Sequence, residues 1–272
     1  MAPARIALVT GAARGIGRSI ALQLASDGLD VAVNDTPSNR IALESVVSEI
    51  EATGRRGLAL TADVSDEAQV KNMVARVVRR LGGLDVMVAN AGICEPSSIL
   101  DISLESYERT FSINVRGVLL CYKYAAIQMI EQGRGGRIIG ALSSHFLSVT
   151  EPYSISGSSL IGGLQAPSTL LAYSSSKFAV RGLTQSSAVE LAKYRITVNA
   201  YAPGSIDTPI SAKYPEGFAR DPNDYPRFTL GAPVGRVGQP TNIAQVVSFF
   251  ASERASYVTG QMVSPDGGSF LT

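Results

Sequence analysis

Apolar residues fall along this chain in two alternating rhythms. Short apolar runs of strand length are followed, again and again, by longer stretches in which apolar residues return every third or fourth position. The short runs cover residues 5–10, 30–35, 56–62, 84–89, 137–141, 195–201 and, shortest of all, 262–265. Helical spacing runs from the first glycine cluster through Ser26, then over 41–53, 67–81, a segment opening near Ser103, a long one after Asn114, 173–193 and 241–251. Strands that alternate with helices imply parallel βαβ units with right-handed crossovers. The expectation is an α/β fold: a single domain over residues 1–272 of Rossmann type, a doubly wound parallel sheet of about seven strands with helices on both faces. Two places are crowded with loop residues, 142–172 and 203–240. The second is rich in Pro and Gly, and its residues 205–238 are expected to form a lid over substrate.

Composition narrows the function classes. A net charge of +1, with no long basic stretch, gives no footprint for nucleic acid or an acidic surface. No apolar run approaches membrane-spanning length and the first residues lack a signal-peptide pattern, so a cytoplasmic protein is expected. Cys94 and Cys121, the 2 cysteines, are too few for a disulfide framework. The 1 histidine, His145, leaves no metal cluster, so no metal is expected.

Three local patterns carry chemistry. Gly11-Ala-Ala-Arg-Gly15-Ile-Gly17 lies between the first strand and the first helix. Glycines there let backbone approach a pyrophosphate, and the helix N-terminus offers unpaired N–H groups and a positive dipole end. The next strand ends in Asp35, 18 residues past Gly17. An acid at that place accepts hydrogen bonds from ribose hydroxyls and repels a 2′-phosphate, which favours NAD. A helix cap or turn is its other reading, and Arg14 and Arg40 could still meet a phosphate, so NADP stays possible. Third, Tyr173 and Lys177 stand one helical turn apart. A phenol ionises near pH 10, and a neighbouring ammonium is expected to pull that value down into the range of acid/base work.

Together these pieces resemble the short-chain dehydrogenase/reductase family over nearly the whole chain. The matching segments are Thr10 to Gly17, Asp63-Val64, Asn90-Ala91-Gly92, Asn114, Tyr173-x-x-x-Lys177, Pro203-Gly204 and Ile206-Asp-Thr208. The resemblance implies that Gly11, Arg14, Gly15, Ile16 and Gly17 form the phosphate-binding turn. It implies adenine contacts at Asp63 and Val64, and a ribose passing Asn90, Ala91 and Gly92. Pro203, Gly204, Ile206 and Thr208 follow the strand beside the nicotinamide, with Ile206 and Thr208 touching its carboxamide. Tyr173 matches the general acid/base, Lys177 the residue that lowers its pKa and grips the nicotinamide ribose, and Asn114 the amide holding a relay water to that lysine. The family's catalytic serine hydrogen-bonds the substrate oxygen. Relatives mostly form homotetramers through the helices after Asn114 and Tyr173 and through the C-terminal segment.

The serine is where the pattern breaks. In the family it precedes the tyrosine by about 13 residues; here Ser143 and Ser144, directly after the fifth strand, precede Tyr173 by 30 and 29, and Ser159 by 14. Residues 142–157 therefore read as a 16-residue insertion, and Ser159 is the expected catalytic serine, with Ser143 and Ser144 as alternatives. The insertion could be a lid or interface loop, a neutral surface excursion, or a retained in-frame intron. The segments around Tyr173 and over 196–204 look most like diacetyl/acetoin reductases. The resemblance thus implies transfer of hydride between a nicotinamide and a small ketone or secondary alcohol. Polyol or sugar dehydrogenases and 3-oxoacyl reductases share the frame. A different class of reading is a nucleotide-binding protein whose catalysis the insertion impairs.

Overall fold

A computed structural model describes residues 4–143, 170–209 and 232–269. Its elements follow the alternation of the sequence: β1 (Ile6–Thr10), α1 (Gly15–Ser26), β2 (Asp30–Asp35), α2 (Arg40–Ala52), β3 (Gly57–Thr61), α3 (Glu67–Leu81), β4 (Val86–Ala89), α4 (Leu104–Phe111), α5 (Gly117–Gln132), β5 (Gly136–Ala141), α6 (Leu171–Leu191), β6 (Ile196–Tyr201), α7 (Pro240–Ala251) and β7 (Met262–Val263). The strands form one 7-stranded sheet in the order β3-β2-β1-β4-β5-β6-β7, with every pairing parallel. Strand order reverses direction between β1 and β4, the switch point where this class of sheet binds its ligands.

All residues of β1 are buried because both faces of the sheet are covered. Ile6 and Leu8 turn to one core, shared with Val70, Val77 and Met129 of α3 and α5. Ala7 and Val9 turn to the other, shared with Ile20, Leu24, Ile243 and Phe250 of α1 and α7. Helix α3 shows how the local code works. Asp66 caps it by accepting the Gln69 N–H, Val70, Met73, Val74, Val77 and Leu81 make its buried stripe, and Gly82 ends it at φ 104°.

Differences from the expected bounds have local causes. The run 84–89 gives a strand only from Val86, because the Asp85 carboxylate turns back to accept the Ile6 N–H at 2.8 Å and the Arg134 guanidinium at 2.6 Å. The helix expected from residue 173 starts at Leu171. The helix expected after Asn114 is continuous with the one before it, through a π-helical stretch, Ser112–Arg116, that contains Asn114 itself. Most of the expected insertion 142–157 and of the expected lid 205–238 lies outside the described residues.

Leu8, fully buried at the centre of the sheet, tests this packing. Leu8→Ala should lower unfolding free energy in urea by about 2–5 kcal/mol; a loss below about 1 kcal/mol would mean that the centre is not close-packed as described.

Candidate active site

Six strand ends meet on one edge of the sheet, and the expected residues lie on them. After β1, the chain turns through Gly11 (φ 65°) and Gly15 (φ 56°) into α1, whose N-cap, Arg14, is exposed and makes no side-chain cap. The glycines are demanded by contact. A Cβ on Gly17 would stand 2.2 Å from the Gly11 carbonyl oxygen, and one on Gly11 would stand 2.9 Å from the Ala91 Cα. Ile16 is half-buried against the core on the α1 side of the sheet.

Asn90, after β4, braces that turn. Its Nδ2 donates to the Thr10 and Gly11 carbonyls at 2.9 and 3.2 Å, and its Oδ1 accepts from the Tyr201 hydroxyl at 2.8 Å. Thr10 Oγ1 accepts the N–H groups of Asn90 and Ala91. The Asn90 side chain is therefore a strut between β1, β4 and β6. Tyr201, fully buried at the end of β6, is a member of the site that sequence reasoning missed. An aromatic residue closing an otherwise small-residue strand end was the available signal.

Asp35, after β2, holds its carboxylate toward the glycine turn: Oδ2 accepts the Ala13 N–H at 3.2 Å. Asp63, after β3, is exposed and accepts both the N–H and the hydroxyl of Ser65 at 2.8 Å, a turn-stabilising role, while Val64 beside it is buried. After β6, Gly204 packs on Asp266, where a Cβ would meet the Asp266 Cα at 2.7 Å, and its N–H reaches the Pro265 carbonyl. Pro203 precedes it, buried. Ile206 is buried, and Thr208 comes back against the glycine turn, its Cγ2 3.8 Å from the place of a Gly15 Cβ.

The chemistry-bearing groups gather between β4, β5 and α6. Asn114 is fully buried, and its amide pairs with the Ile93 backbone in both directions, Oδ1 accepting the N–H and Nδ2 donating to the carbonyl, each at 2.9 Å. Nδ2 also reaches Ser176 Oγ at 3.0 Å. Turning this amide toward β4 while the helix continues is what the π-helical stretch accomplishes. Lys177 is buried, and its Nζ donates to the Ala141 carbonyl at 2.8 Å, stands 5.5 Å from the Tyr173 ring centroid, and converges with Asn114 Oδ1 on Gly92. A Cβ on Gly92 would stand 3.2 Å from that oxygen and 3.6 Å from Nζ. Ser143, buried just past β5, hydrogen-bonds the Tyr173 side chain. Ser144 and Ser159 lie outside the described residues. Among the described residues no group of His, Cys, Asp and Glu is placed to hold a metal ion, and no helix is long and apolar enough to cross a membrane.

Comparison with known proteins gives this geometry its setting. A family profile described as Enoyl-(acyl carrier protein) reductase matches residues 11–269. A short-chain dehydrogenase/reductase of Armillaria gallica is 46% identical over 97% of this chain and 95% of its own length. The L-2,3-butanediol dehydrogenase of Corynebacterium glutamicum is 36% identical over 97% of this chain and 98% of its own. Among solved structures, an acetoin dehydrogenase of Salmonella typhimurium superposes with a TM-score of 0.81 at 33% identity, covering 97% of this chain and 95% of that one. The chain belongs to the short-chain dehydrogenase/reductase family.

As a short-chain dehydrogenase/reductase it is an NAD(P)-dependent oxidoreductase, and its own residues fit the dinucleotide. The cradle at Gly11 and Gly17 leaves no room for a side chain, and the first turn of α1 has no side-chain cap competing for its N–H groups. Electrostatics around Tyr173 differ from the sequence expectation. Burial pushes the phenol above its ordinary value; buried Cys94 adds to this, and the Ser143 hydroxyl works against it. In the protein alone, removal of the phenolate from water sets the direction. Lys177 is itself brought down to about 8, first by burial, with Cys94 acting in the opposite sense.

That depression makes a pH-dependent stability. From about pH 8 up to the ordinary value of 10.5, the unfolded chain binds more protons at residue 177 than the folded one, so folding gains stability as pH rises there; below pH 8 the burial penalty is fully present. Lys177→Met removes the penalty and its pH dependence together. In urea unfolding of the cofactor-free protein, the variant's stability relative to wild type should be higher at pH 7 than at pH 10; an unchanged or opposite difference would mean that Lys177 is not charged and buried as described.

Proposed function

We propose that this short-chain dehydrogenase/reductase is an NAD-preferring carbonyl reductase and alcohol dehydrogenase of small ketones and secondary alcohols, of the diacetyl/acetoin kind. The observation that carries the reading is the constellation of half-buried Tyr173 with buried Lys177, Asn114 and Ser143: a phenol, an ammonium, an amide and a hydroxyl drawn together behind one rim of strand ends. A fold or a simple nucleotide-binding module has no use for a buried ammonium, which is costly to desolvate. The butanediol and acetoin dehydrogenases among its relatives support the substrate class. Asp35, whose carboxylate faces the glycine turn, supports NAD over NADP.

The bound nicotinamide supplies or accepts the hydride; the protein handles the proton and the orientation. Gly11, Arg14, Gly15, Ile16 and Gly17 hold the pyrophosphate, Asp35 the adenosine ribose, and Asp63 and Val64 the adenine. The backbone of Asn90, Ala91 and Gly92, together with Pro203, Gly204, Ile206 and Thr208, lines the path to the nicotinamide. In reduction Tyr173 gives its proton to the carbonyl oxygen as charge develops there, and Lys177 stabilises the phenolate that remains. Lys177 then passes a proton to the phenolate, and is itself reprotonated through a water held by Asn114 Oδ1, which is turned to the same space as Nζ. The serine that hydrogen-bonds the substrate oxygen is Ser143 in this reading: it already meets Tyr173, and its place directly after β5 outweighs the spacing argument for Ser159.

NADH oxidation with diacetyl tests all of this. Wild type should turn over, Tyr173→Phe should lose at least about a thousandfold in kcat while still binding NADH, and Ser143→Ala should lose about a hundredfold or more, with Ser159→Ala nearly silent. The reverse ranking of the two serines would return the role to Ser159. Cofactor binding without turnover of any carbonyl would favour the catalytically impaired reading.

The same proposal includes a homo-oligomer, a tetramer. Leu119, Ile127 and Ile130 form an exposed stripe along α5, and Phe178 and Val189 a second along neighbouring α6. Such paired apolar helix faces suit a second copy of this chain. Ile127→Glu should reduce the mass seen by analytical ultracentrifugation; an unaltered assembly would place the interface elsewhere.

A further inference from the structure

We propose that Asn39 is a positioning residue for cofactor choice, acting by locking the Asp35 carboxylate; the inference rests on the NAD reading above and deepens it. Three donors from the protein itself converge on that carboxylate. The Thr36 N–H and the Asn39 side-chain amide both donate to Oδ1 at 2.8 Å, and the Ala13 N–H donates to Oδ2 at 3.2 Å. A carboxylate offers about four acceptor positions, so one remains, on Oδ2, the oxygen nearest the glycine turn. Two of the three donors are backbone groups, which only a proline would remove. Asn39 is the one side chain among them.

Its placement is prepared by the local chain. Pro37–Asn39 forms a short 3-10 turn whose Asn39 N–H bonds the Thr36 carbonyl at 3.0 Å, and the proline ring restricts the backbone that carries the amide. The neighbouring cation, Arg40, pairs with Glu44 one turn into α2 at 2.9 Å. Among the described residues no cation pairs with the Asp35 carboxylate, which is held on both oxygens. A ribose hydroxyl finds a fixed acceptor there. A 2′-phosphate meets a negative charge that cannot swing into water without breaking the Asn39 bond. With that bond removed, rotation of the Asp35 side chain lets both cofactors in on more equal terms.

The test is direct binding of NADH and of NADPH by isothermal titration calorimetry, with steady-state KM and kcat measured alongside. The proteins are wild type, Asn39→Ala, Asn39→Gln, Asp35→Ala and the Asp35→Ala/Asn39→Ala double variant. Asn39→Ala should cut the preference for NADH over NADPH by about tenfold, in Kd and KM more than in kcat, and Asn39→Gln, which keeps an amide donor, should recover most of it. In the Asp35→Ala background the Asn39 substitution should leave the preference unchanged, because the group it positions is gone. Wild-type preference for NADH with Asn39→Ala equally selective, or an Asn39 effect of the same size without Asp35, overturns this inference alone. A wild type that prefers NADPH overturns the NAD reading and this inference with it.

Discussion

An all-parallel sheet can be built only if each strand is followed by a crossover to the opposite end, and this one constraint governs the molecule. It brings every carboxyl end to the same edge, so the chain leaves β1, β2, β3, β4, β5 and β6 at neighbouring points. Residues separated by most of the sequence then meet without any long-range design of their own. Thr10 and Asn90 touch because β1 and β4 are neighbours, and Asn90 and Tyr201 because β6 ends on the same rim. The same arrangement buries both faces of the central strands, which is why the apolar runs are unbroken and not alternating.

On that rim the costly feature is a buried ammonium. Among the described residues Lys177 donates to the Ala141 carbonyl, and burial weakens its charge. Everything near it is arranged to keep it there. Gly92 leaves the space a side chain would fill, and Asn114 is fixed by accepting the Ile93 N–H and donating to the Ile93 carbonyl, with its oxygen turned the same way. A break in regular helix geometry at Ser112–Arg116 permits this orientation. Stability is lowered at the point where the chemistry is proposed, a trade expected of functional sites.

Much of this was legible in the residues. Apolar runs separated by helical spacing led directly to the strand sequence and to a parallel sheet, and the glycine turn, Asp35 and the Tyr173–Lys177 spacing pointed to a dinucleotide and a proton donor. What was not legible depends on three dimensions. Burial sets the direction of the Tyr173 shift, and a pair spacing along a helix says nothing of how much water surrounds it. Tyr201 and Asn39 act by bracing other residues, and no spacing rule marks a brace. Ser143 meets Tyr173 because β5 ends beside α6, however long the chain between them, whereas Ser159, expected from its spacing to the tyrosine, lies outside the described residues. Asp63, for which the resemblance implied an adenine contact, holds the turn at Ser65 in the structure.

The most direct measurement is a crystal structure of this protein with NADH and an unreactive small diol. The pyrophosphate should lie over Gly11 to Gly17, the adenosine ribose on the Asp35 carboxylate, and the nicotinamide ring beside Lys177 with a diol oxygen on the Tyr173 hydroxyl. A dinucleotide bound away from the carboxyl ends of the strands, or a diol held far from Tyr173, would contradict it.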